Sequence, residues 1–309
     1  VRISGLGSYL PERVLTNEDL SRMVDTTDEW IVARTGIRER RVISEGEKTA
    51  DLAIEAALAA MDDAGVQGSE IDLVIVATST SEMPFPSVAA QVQNAIGAPA
   101  AGAFDLAAAC SGWAYALVMA AGLLGPGGLR KALVIGAETM STITDWTDRT
   151  TCILFADGAG AAVLEPCPKG EGLLAFELGA DGSGASLLSV PPPNHKIQQN
   201  GREVFRFAVT TIGESMGRVT AMAGMTPSEL DWLVPHQANN RIFEAAAKRL
   251  ELPQDRVYSN LVRTGNTSAA SIPIALRQMR DEGLLKAGQR VGIIGFGGGL
   301  TWATALFQW

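Results

Sequence analysis

A thiol, an imidazole and a carboxamide stand at Cys110, His236 and Asn266, each close to the end of an apolar run. Together such groups can take an acyl group onto sulfur and hold a developing oxyanion by hydrogen bonds. Cys110 closes the run Gly102–Cys110, which reads as a buried strand leading into a turn. The run Ser111–Gly122 after it is rich in Ala, Leu and Met without Pro, and reads as a buried helix. A sulfur at that junction meets unpaired N–H groups and the positive end of a helix dipole, which favour a thiolate. Ala107, Ala108, Ala109, Ser111 and Gly112 leave room for a substrate. The competing reading is a packed core cysteine, since free Cys is among the most buried residue types.

The chain has 2 histidines. His195 follows Pro191-Pro-Pro-Asn194 and reads as a surface loop residue. His236 follows the strand Asp231–Pro235 directly. An extended segment over Asp255–Val262 is expected to lead to Asn266, although an Asn after Gly265 also suits a plain turn. Gly295-Phe-Gly-Gly-Gly299 ends the penultimate strand, and its backbone N–H groups fit either an oxyanion hole or a tight turn.

The elements that must position these residues repeat. Ser69-Glu-Ile-Asp72 recurs 159 residues later (69 to 228) as Ser228-Glu-Leu-Asp231, and Ala64-Gly65 as Ala223-Gly224. The strand Lys131–Gly136 matches Arg290–Gly295, and Ala116-Leu117 faces Ala275-Leu276, at the same offset. Several matches at one offset indicate two copies of a supersecondary unit. Apolar helices such as Thr49–Ala64 alternate with short apolar strands such as Asp72–Ala77, which implies βα units around sheets buried on both faces. The join is expected near Pro166-Cys-Pro-Lys-Gly170, dividing the chain into residues 1–165 with the thiol and 166–309 with the His and Asn. Cys110, His236 and Asn266 then fall at strand ends of both halves and can meet across a pseudo-two-fold interface, where open α/β sheets tend to bind ligands.

Composition bounds the rest. A chain of 309 residues, 47% hydrophobic and 19% charged, builds a large globular core. The net charge of −9 argues against a broad nucleic-acid footprint. The 3 cysteines form no CxxC pair and no disulfide framework. With no signal peptide and no run of transmembrane length, the expected place is a reducing cytoplasm, away from the membrane. The chain opens at Val1 without Met, as a chain lacking a few leading residues would.

Four segments carry a resemblance: Asp105–Gly112, Val234-Pro-His236-Gln-Ala-Asn239, Gly265–Ala270 and Gly295–Gly299. With Gly7–Pro11, Asp28–Arg38, Thr147–Arg149 and Asp157–Ala162, in this order, the chain resembles the β-ketoacyl-[acyl-carrier-protein] synthase III family along nearly its whole length. The resemblance implies a thiolase fold, a duplicated five-layer αβαβα arrangement with two pseudo-two-fold related halves. It implies an acyltransferase, the condensing enzyme that opens type II fatty-acid synthesis in lipid metabolism. Its substrates would be a short acyl-coenzyme A, acetyl first among them, and malonyl-acyl-carrier protein, with no cofactor and no metal, in a homodimer.

By the same resemblance Cys110 takes the acyl group, and His236 and Asn266 hold the malonyl thioester oxygen during decarboxylation. The N–H groups of Cys110 and Gly298 hold the acyl oxygen. Trp30 and Arg149 sandwich the coenzyme A adenine, Arg34 lies near its phosphates, and Asn239 contacts the pantetheine arm. Arg241 docks the carrier protein, and Phe85 reaches the partner subunit's acyl pocket. Rival readings are a polyketide-synthase-like condensing enzyme on acyl-coenzyme A primers and, in another class, a cysteine-dependent thioester hydrolase. A degradative thiolase needs a second cysteine that Gly295–Gly299 does not supply. An acyl-carrier-binding protein without turnover sits badly with the intact trio. The Gly5-Leu-Gly7 start of a dinucleotide fingerprint lacks its third glycine.

Overall fold

The computed structural model describes residues 1–309. Two sheets dominate. The first contains β1 (Arg2–Tyr9), β2 (Leu73–Ala77), β3 (Gly102–Leu106), β4 (Ala132–Thr139) and β5 (Asp157–Glu165), in the order β1-β5-β4-β2-β3. The second contains β6 (Gly172–Ala180), β7 (Trp232–Pro235), β8 (Arg290–Gly297) and β9 (Thr301–Gln308), in the order β6-β9-β8-β7. Both run antiparallel, antiparallel, then parallel along these orders, so the second sheet repeats the first without β3. All strands of the first sheet lie within residues 2–165, and all of the second within 172–308.

Helices make the other three layers. α1 (Thr49–Ala64) and α2 (Val88–Ala95) cover the outer face of the first sheet. α3 (Gly112–Leu123) and α6 (Ser271–Asp281) lie between the sheets, while α4 (Gly201–Met222) and α5 (Asn240–Arg249) cover the second. The sequence accounts for this layering. α1 buries Ala53, Ala56, Ala57, Ala60 and Met61, one helical face at i, i+3, i+4, i+7 and i+8. Between two sheets, α3 buries Trp113, Ala114, Ala116, Leu117, Val118 and Ala120 around most of its circumference, with Trp113 Nε1 donating to Val134 O at 3.1 Å. Every residue of β4 is buried, as expected for a strand covered on both faces. No helix is long and apolar enough to cross a membrane.

The inner helices each start from a matching turn. Ala109–Ser111 precedes α3, Ser268–Ala270 precedes α6, and Ala109 (φ 45°) and Ser268 (φ 50°) both hold the left-handed conformation that non-glycine residues rarely adopt. Each turn lies against a glycine of the opposite half. A Cβ on Gly295 would stand 2.8 Å from Ser111 Cα, and one on Gly136 would strike the Ala269 carbonyl oxygen. Only bare backbone at these two strand positions lets the turns cross between the sheets.

Two expectations need correction. Asp255–Val262 is not a strand: it forms a turn at Gln254–Arg256 and a short helix at Leu261–Thr264, with a single bridge from Leu233 to Val257. The chain bends there because the Gln237 carboxamide takes the Asn260 N–H (3.1 Å) that a strand ladder would need. Asn266 therefore follows a helical turn rather than a strand. Nor is Gly102–Leu106 a buried strand: β3 stands at the edge of the first sheet with β2 as its one strand neighbour, and its residues are half-buried or exposed. Gly5-Leu6-Gly7 lies inside β1 and not at a strand-to-helix turn, in line with the failed dinucleotide fingerprint.

Candidate active site

Cys110, His236 and Asn266 converge on one cavity of about 120 Å³, joined by Phe155, Leu188, Phe205, Phe296 and Gly297. Each is placed by a different element. Cys110 is held at the turn before α3, 7% exposed, and that turn is tied to the second half by Thr301. The Thr301 hydroxyl donates to Gly298 O (2.9 Å) or Ala108 O (3.1 Å). His236 follows β7, and its N–H donates to Ile294 O at 2.8 Å. Asn266 is clamped by backbone bonds to Leu154 O and from the Ala156 N–H, both 2.9 Å.

The hydrogen bonds fix what His236 and Asn266 offer. Ser271 Oγ accepts the Gln237 N–H (3.2 Å), and the one acceptor within reach of its own proton is His236 Nδ1 at 2.7 Å, so the hydroxyl donates there. The ring is thereby set with its hydrogen on Nε2. Burial lowers its pKa to about 3, so the imidazole is neutral. Asn266 Oδ1 accepts the Ser268 N–H at 2.9 Å, which turns the amide NH₂ toward the cavity. Neither Nε2 nor Nδ2 has a protein partner. Two neutral donors thus stand free beside a sulfur. Phe296 holds the ring edge-to-face, centroids 5.2 Å apart.

The thiol differs from expectation. Burial, with the negative Glu138 nearby, pushes Cys110 up to about 12, although the Ser268 hydroxyl and the Cys110 backbone N–H, which would donate to a thiolate, pull the other way. The resting sulfur is a thiol and not a thiolate, because desolvation at a buried turn outweighs the help of the α3 N-terminus.

Two further cavities adjoin the first. The inner one, about 170 Å³, is walled by Met140, Ile143, Phe155, Leu188, Val190 and Ile197, and Gly298 lies on it beside Cys110. The Gly298 N–H has no hydrogen-bond partner. The outer one, about 740 Å³, carries Trp30, Arg34, Arg202, Arg206, Asn239 and Arg241. Of these arginines only Arg206 has a carboxylate partner, Glu203 at 3.1 Å. On a chain of net charge −9, this mouth is a local basic ring.

The remaining expected residues fall as follows. The Arg34 and Arg149 guanidinium groups both lie over the Trp30 ring, 4.2 and 5.1 Å from its centroid. An aromatic base between Trp30 and Arg149 needs about 7 Å, twice a stacking distance, so the pair must separate to admit one. Asn239 caps α5 by accepting the Arg241 N–H (2.9 Å) and donates to Arg34 O (2.8 Å). Arg241 projects over Phe205 at 5.8 Å, while Arg249 on the same helix is paired with Glu214 at 3.0 Å. Phe85 lines none of these cavities and is 83% exposed.

Sequence reasoning passed over Glu138, Ser268 and Ser271. Ser268 sits inside the motif Gly265–Ala270 and Ser271 directly follows it, and Glu138 is a lone carboxylate in the apolar run of β4, which was the available signal.

Comparison with known proteins agrees with this architecture. The family profile of 3-oxoacyl-[acyl-carrier-protein] synthase III matches residues 104–182, and that of its C-terminal region matches residues 220–309. A β-ketoacyl-[acyl-carrier-protein] synthase III of Geobacillus kaustophilus is 50% identical over 307 residues, covering 99% of this chain and 98% of that protein. The crystal structure of 3-oxoacyl-[acyl-carrier-protein] synthase III from Aquifex aeolicus superposes with a TM-score of 0.97 at 44% identity, over 100% of this chain and 99% of that one. The priming β-ketosynthase of the R1128 polyketide pathway gives a TM-score of 0.94 at 37% identity, over 99% and 95%.

Proposed function

The chain belongs to the β-ketoacyl-[acyl-carrier-protein] synthase III family, and on that premise we propose that Cys110, His236 and Asn266 carry out the family's condensation. The protein is a condensing acyltransferase that opens fatty-acid synthesis by forming a β-ketoacyl thioester on an acyl carrier protein. The polyketide-synthase and hydrolase readings are not favoured. The observation that carries the residue assignment is the pair of unpartnered neutral donors, His236 Nε2–H and Asn266 Nδ2–H, in one cavity with a buried thiol.

In the first half-reaction the Cys110 sulfur attacks the thioester carbonyl of an acyl-coenzyme A, and coenzyme A leaves as its thiol. Dividing acyl transfer from carbon–carbon bond formation is what the covalent intermediate achieves. The N–H groups of Cys110 and Gly298 take the developing acyl oxyanion, and the small inner cavity takes the chain, which suits a short primer such as acetyl. In the second half-reaction malonyl-carrier protein loses carbon dioxide. His236 and Asn266 stabilise the enolate oxygen, and the carbanion attacks the acyl-cysteine. Neutral donors suit that step, since no proton has to be removed to make the nucleophile.

The basic outer mouth supports coenzyme A binding. Arg34 and Arg149 serve the diphosphate and the adenine over Trp30, Asn239 lies along the pantetheine path, and Arg241 faces an acidic carrier protein. Phe85, exposed between two prolines, supports a homodimer in which it reaches the inner cavity of the other subunit. The chemistry uses no cofactor, and the enzyme works in the cytoplasm on soluble partners. The residues 1–165 supply the nucleophile and 166–309 the donors. A primer panel of acetyl-, isobutyryl- and longer acyl-coenzyme A with malonyl-carrier protein, read by product mass, tests this function. It should give β-ketoacyl-carrier protein most readily from the short primers, and release of free acid without condensation would refute it.

A further inference from the structure

Cys110 needs a base, and the imidazole is not one. With Nδ1 accepting from Ser271 and hydrogen on Nε2, His236 has no lone pair to offer the sulfur. The hydrogen-bonding neighbour of the thiol is Ser268 Oγ, 3.4 Å from Sγ and 2.9 Å from Glu138 Oε1. A hydroxyl has one proton, and a carboxylate accepts only, so Ser268 gives its proton to Glu138 and receives the S–H.

Glu138 is set apart from other acidic residues of the fold. It is fully buried in β4, and no Lys, Arg or His pairs with it. Its other oxygen accepts the Ser79 N–H and the Thr80 hydroxyl at 2.9 Å each, with the Thr78 hydroxyl at 3.4 Å. The Ala269 N–H also favours the charged form, yet burial dominates and pushes the carboxyl up to about 7. Cys110 is the titratable group across Ser268. Two further carboxylates lie nearby: Asp157 on β5, opposite Thr139 in the ladder and held by Ser141 and the Ile43 N–H, and Glu82, on the N–H of Thr49, whose hydroxyl meets Thr80. A lone carboxylate costs stability in such a place, and the condensation chemistry described above leaves it without a task.

We propose that Ser268 and Glu138 form the path by which the Cys110 thiol gives up its proton as it takes the acyl group, a proposal that rests on Cys110 being the acyl acceptor. The S–H bond breaks toward Ser268 Oγ as the Ser268 O–H bond breaks toward Glu138 Oε1, and the freed electron pair forms the bond from sulfur to the thioester carbonyl carbon. When the tetrahedral intermediate collapses, the carbon–sulfur bond to coenzyme A breaks. The departing thiolate takes the proton back along the same path, leaving Glu138 ionised. One negative charge moves and none is created, so no other reactant is needed. Ser268 touches the reacting sulfur; Glu138 acts through it.

The test is the single-turnover rate of Cys110 acylation by acetyl-coenzyme A, followed by rapid quench and intact mass from about pH 5.5 to 9. In the wild-type protein the rate should rise with pH through about 7 and then level, because the base must be ionised. Glu138→Gln should be slower by about 100-fold or more near pH 8 and should lose the inflection. Glu138→Asp should recover part of the rate and keep the inflection. Ser268→Ala breaks the path by removing only a hydroxyl and should match Glu138→Gln; if the latter does not fold, Ser268→Ala decides alone. Wild-type rate and inflection in Ser268→Ala or Glu138→Gln would overturn the relay. If wild-type protein forms no adduct on Cys110 at all, the acyl-acceptor reading itself fails.

Discussion

The turns Ala109–Ser111 and Ser268–Ala270 share a backbone and differ in chemistry. Both begin with a residue at positive φ, both start an inner helix, and both press on a glycine of the opposite sheet, Gly295 and Gly136. Yet the position of Cys110 in the first turn is Ala269 in the second, and the first turn's Ala109 corresponds to Ser268. The first half contributes the thiol, and the second contributes the imidazole, the amide and the hydroxyl beside the sulfur. A duplicated fold thus supplies two equivalent platforms, and in the proposed reaction the side chains make one a nucleophile and the other its electrostatic partner. The difference teaches that strain and crossing geometry belong to the fold, since both copies keep them. The asymmetry belongs to the reaction.

That comparison can be broken most sharply by moving the thiol. Cys110→Ala should reduce acyl-enzyme formation below detection, and adding Ala269→Cys to it should restore nothing. Ala269 packs against Gly136 and lines neither the donor cavity nor the inner one. Adduct formation in the double variant would mean that the two turns are functionally interchangeable.

Next come the donors that only the second half carries. His236→Ala and Asn266→Ala should each slow malonyl decarboxylation by about 10²–10³-fold, the usual effect of removing an oxyanion donor. Acylation of Cys110 should suffer less in both, as single-turnover mass measurements would report. Equal losses in the two half-reactions would sink the division of labour.

The shared crossing geometry gives a smaller effect. Gly295→Ala and Gly136→Ala should each cost roughly 1–3 kcal/mol by forcing a turn away from its strand, measured by chemical denaturation. Gly295→Ala should also slow acylation, because the turn it displaces holds Cys110. If both variants acylate normally, the glycine contacts do not position the sulfur.

An effect of similar size, spread over several pH units, concerns protonation. His236 is held well below its unfolded value, at about 3, so the unfolded chain binds a proton that the folded chain refuses. Its contribution is complete above the unfolded pKa of about 6.5 and is lost as pH falls toward 3, which lowers stability by about 2 kcal/mol between pH 7.5 and pH 5. Denaturation curves of His236→Asn should show a shallower decline over that window. An unchanged slope would contradict the buried neutral ring.

Much of this was legible in the residues, and the exceptions have physical causes. The helix Thr49–Ala64 and the repeat offset follow from local periodicity, which burial on a sheet face preserves. Gly102–Leu106 is a strand as read but not a buried one, because an apolar run does not reveal that its strand will stand at the edge of the sheet. The Asp255–Val262 segment misleads because a side chain, Gln237, takes a backbone donor that no local pattern reveals. The state of the Cys110 sulfur misleads for a related reason: helix-terminus electrostatics are visible in the sequence, whereas desolvation depends on what folds over the turn. Glu138 is a single acid in an apolar strand, and its meaning emerges only when Ser268 arrives from the other half. Trp30 and the arginines around it are recognisable by motif, but the closed stacking of guanidinium on indole is a tertiary fact.

The central claim is that one turn of the duplicated pair carries the acyl group. The direct measurement is to incubate the protein with acetyl-coenzyme A, without malonyl-carrier protein, and map the acetyl group by peptide mass. A single acetyl group on the peptide containing Cys110, present in His236→Ala and absent in Cys110→Ala, is the predicted result. An acetyl adduct on Cys152 or Cys167, or one that persists in Cys110→Ala, would contradict it.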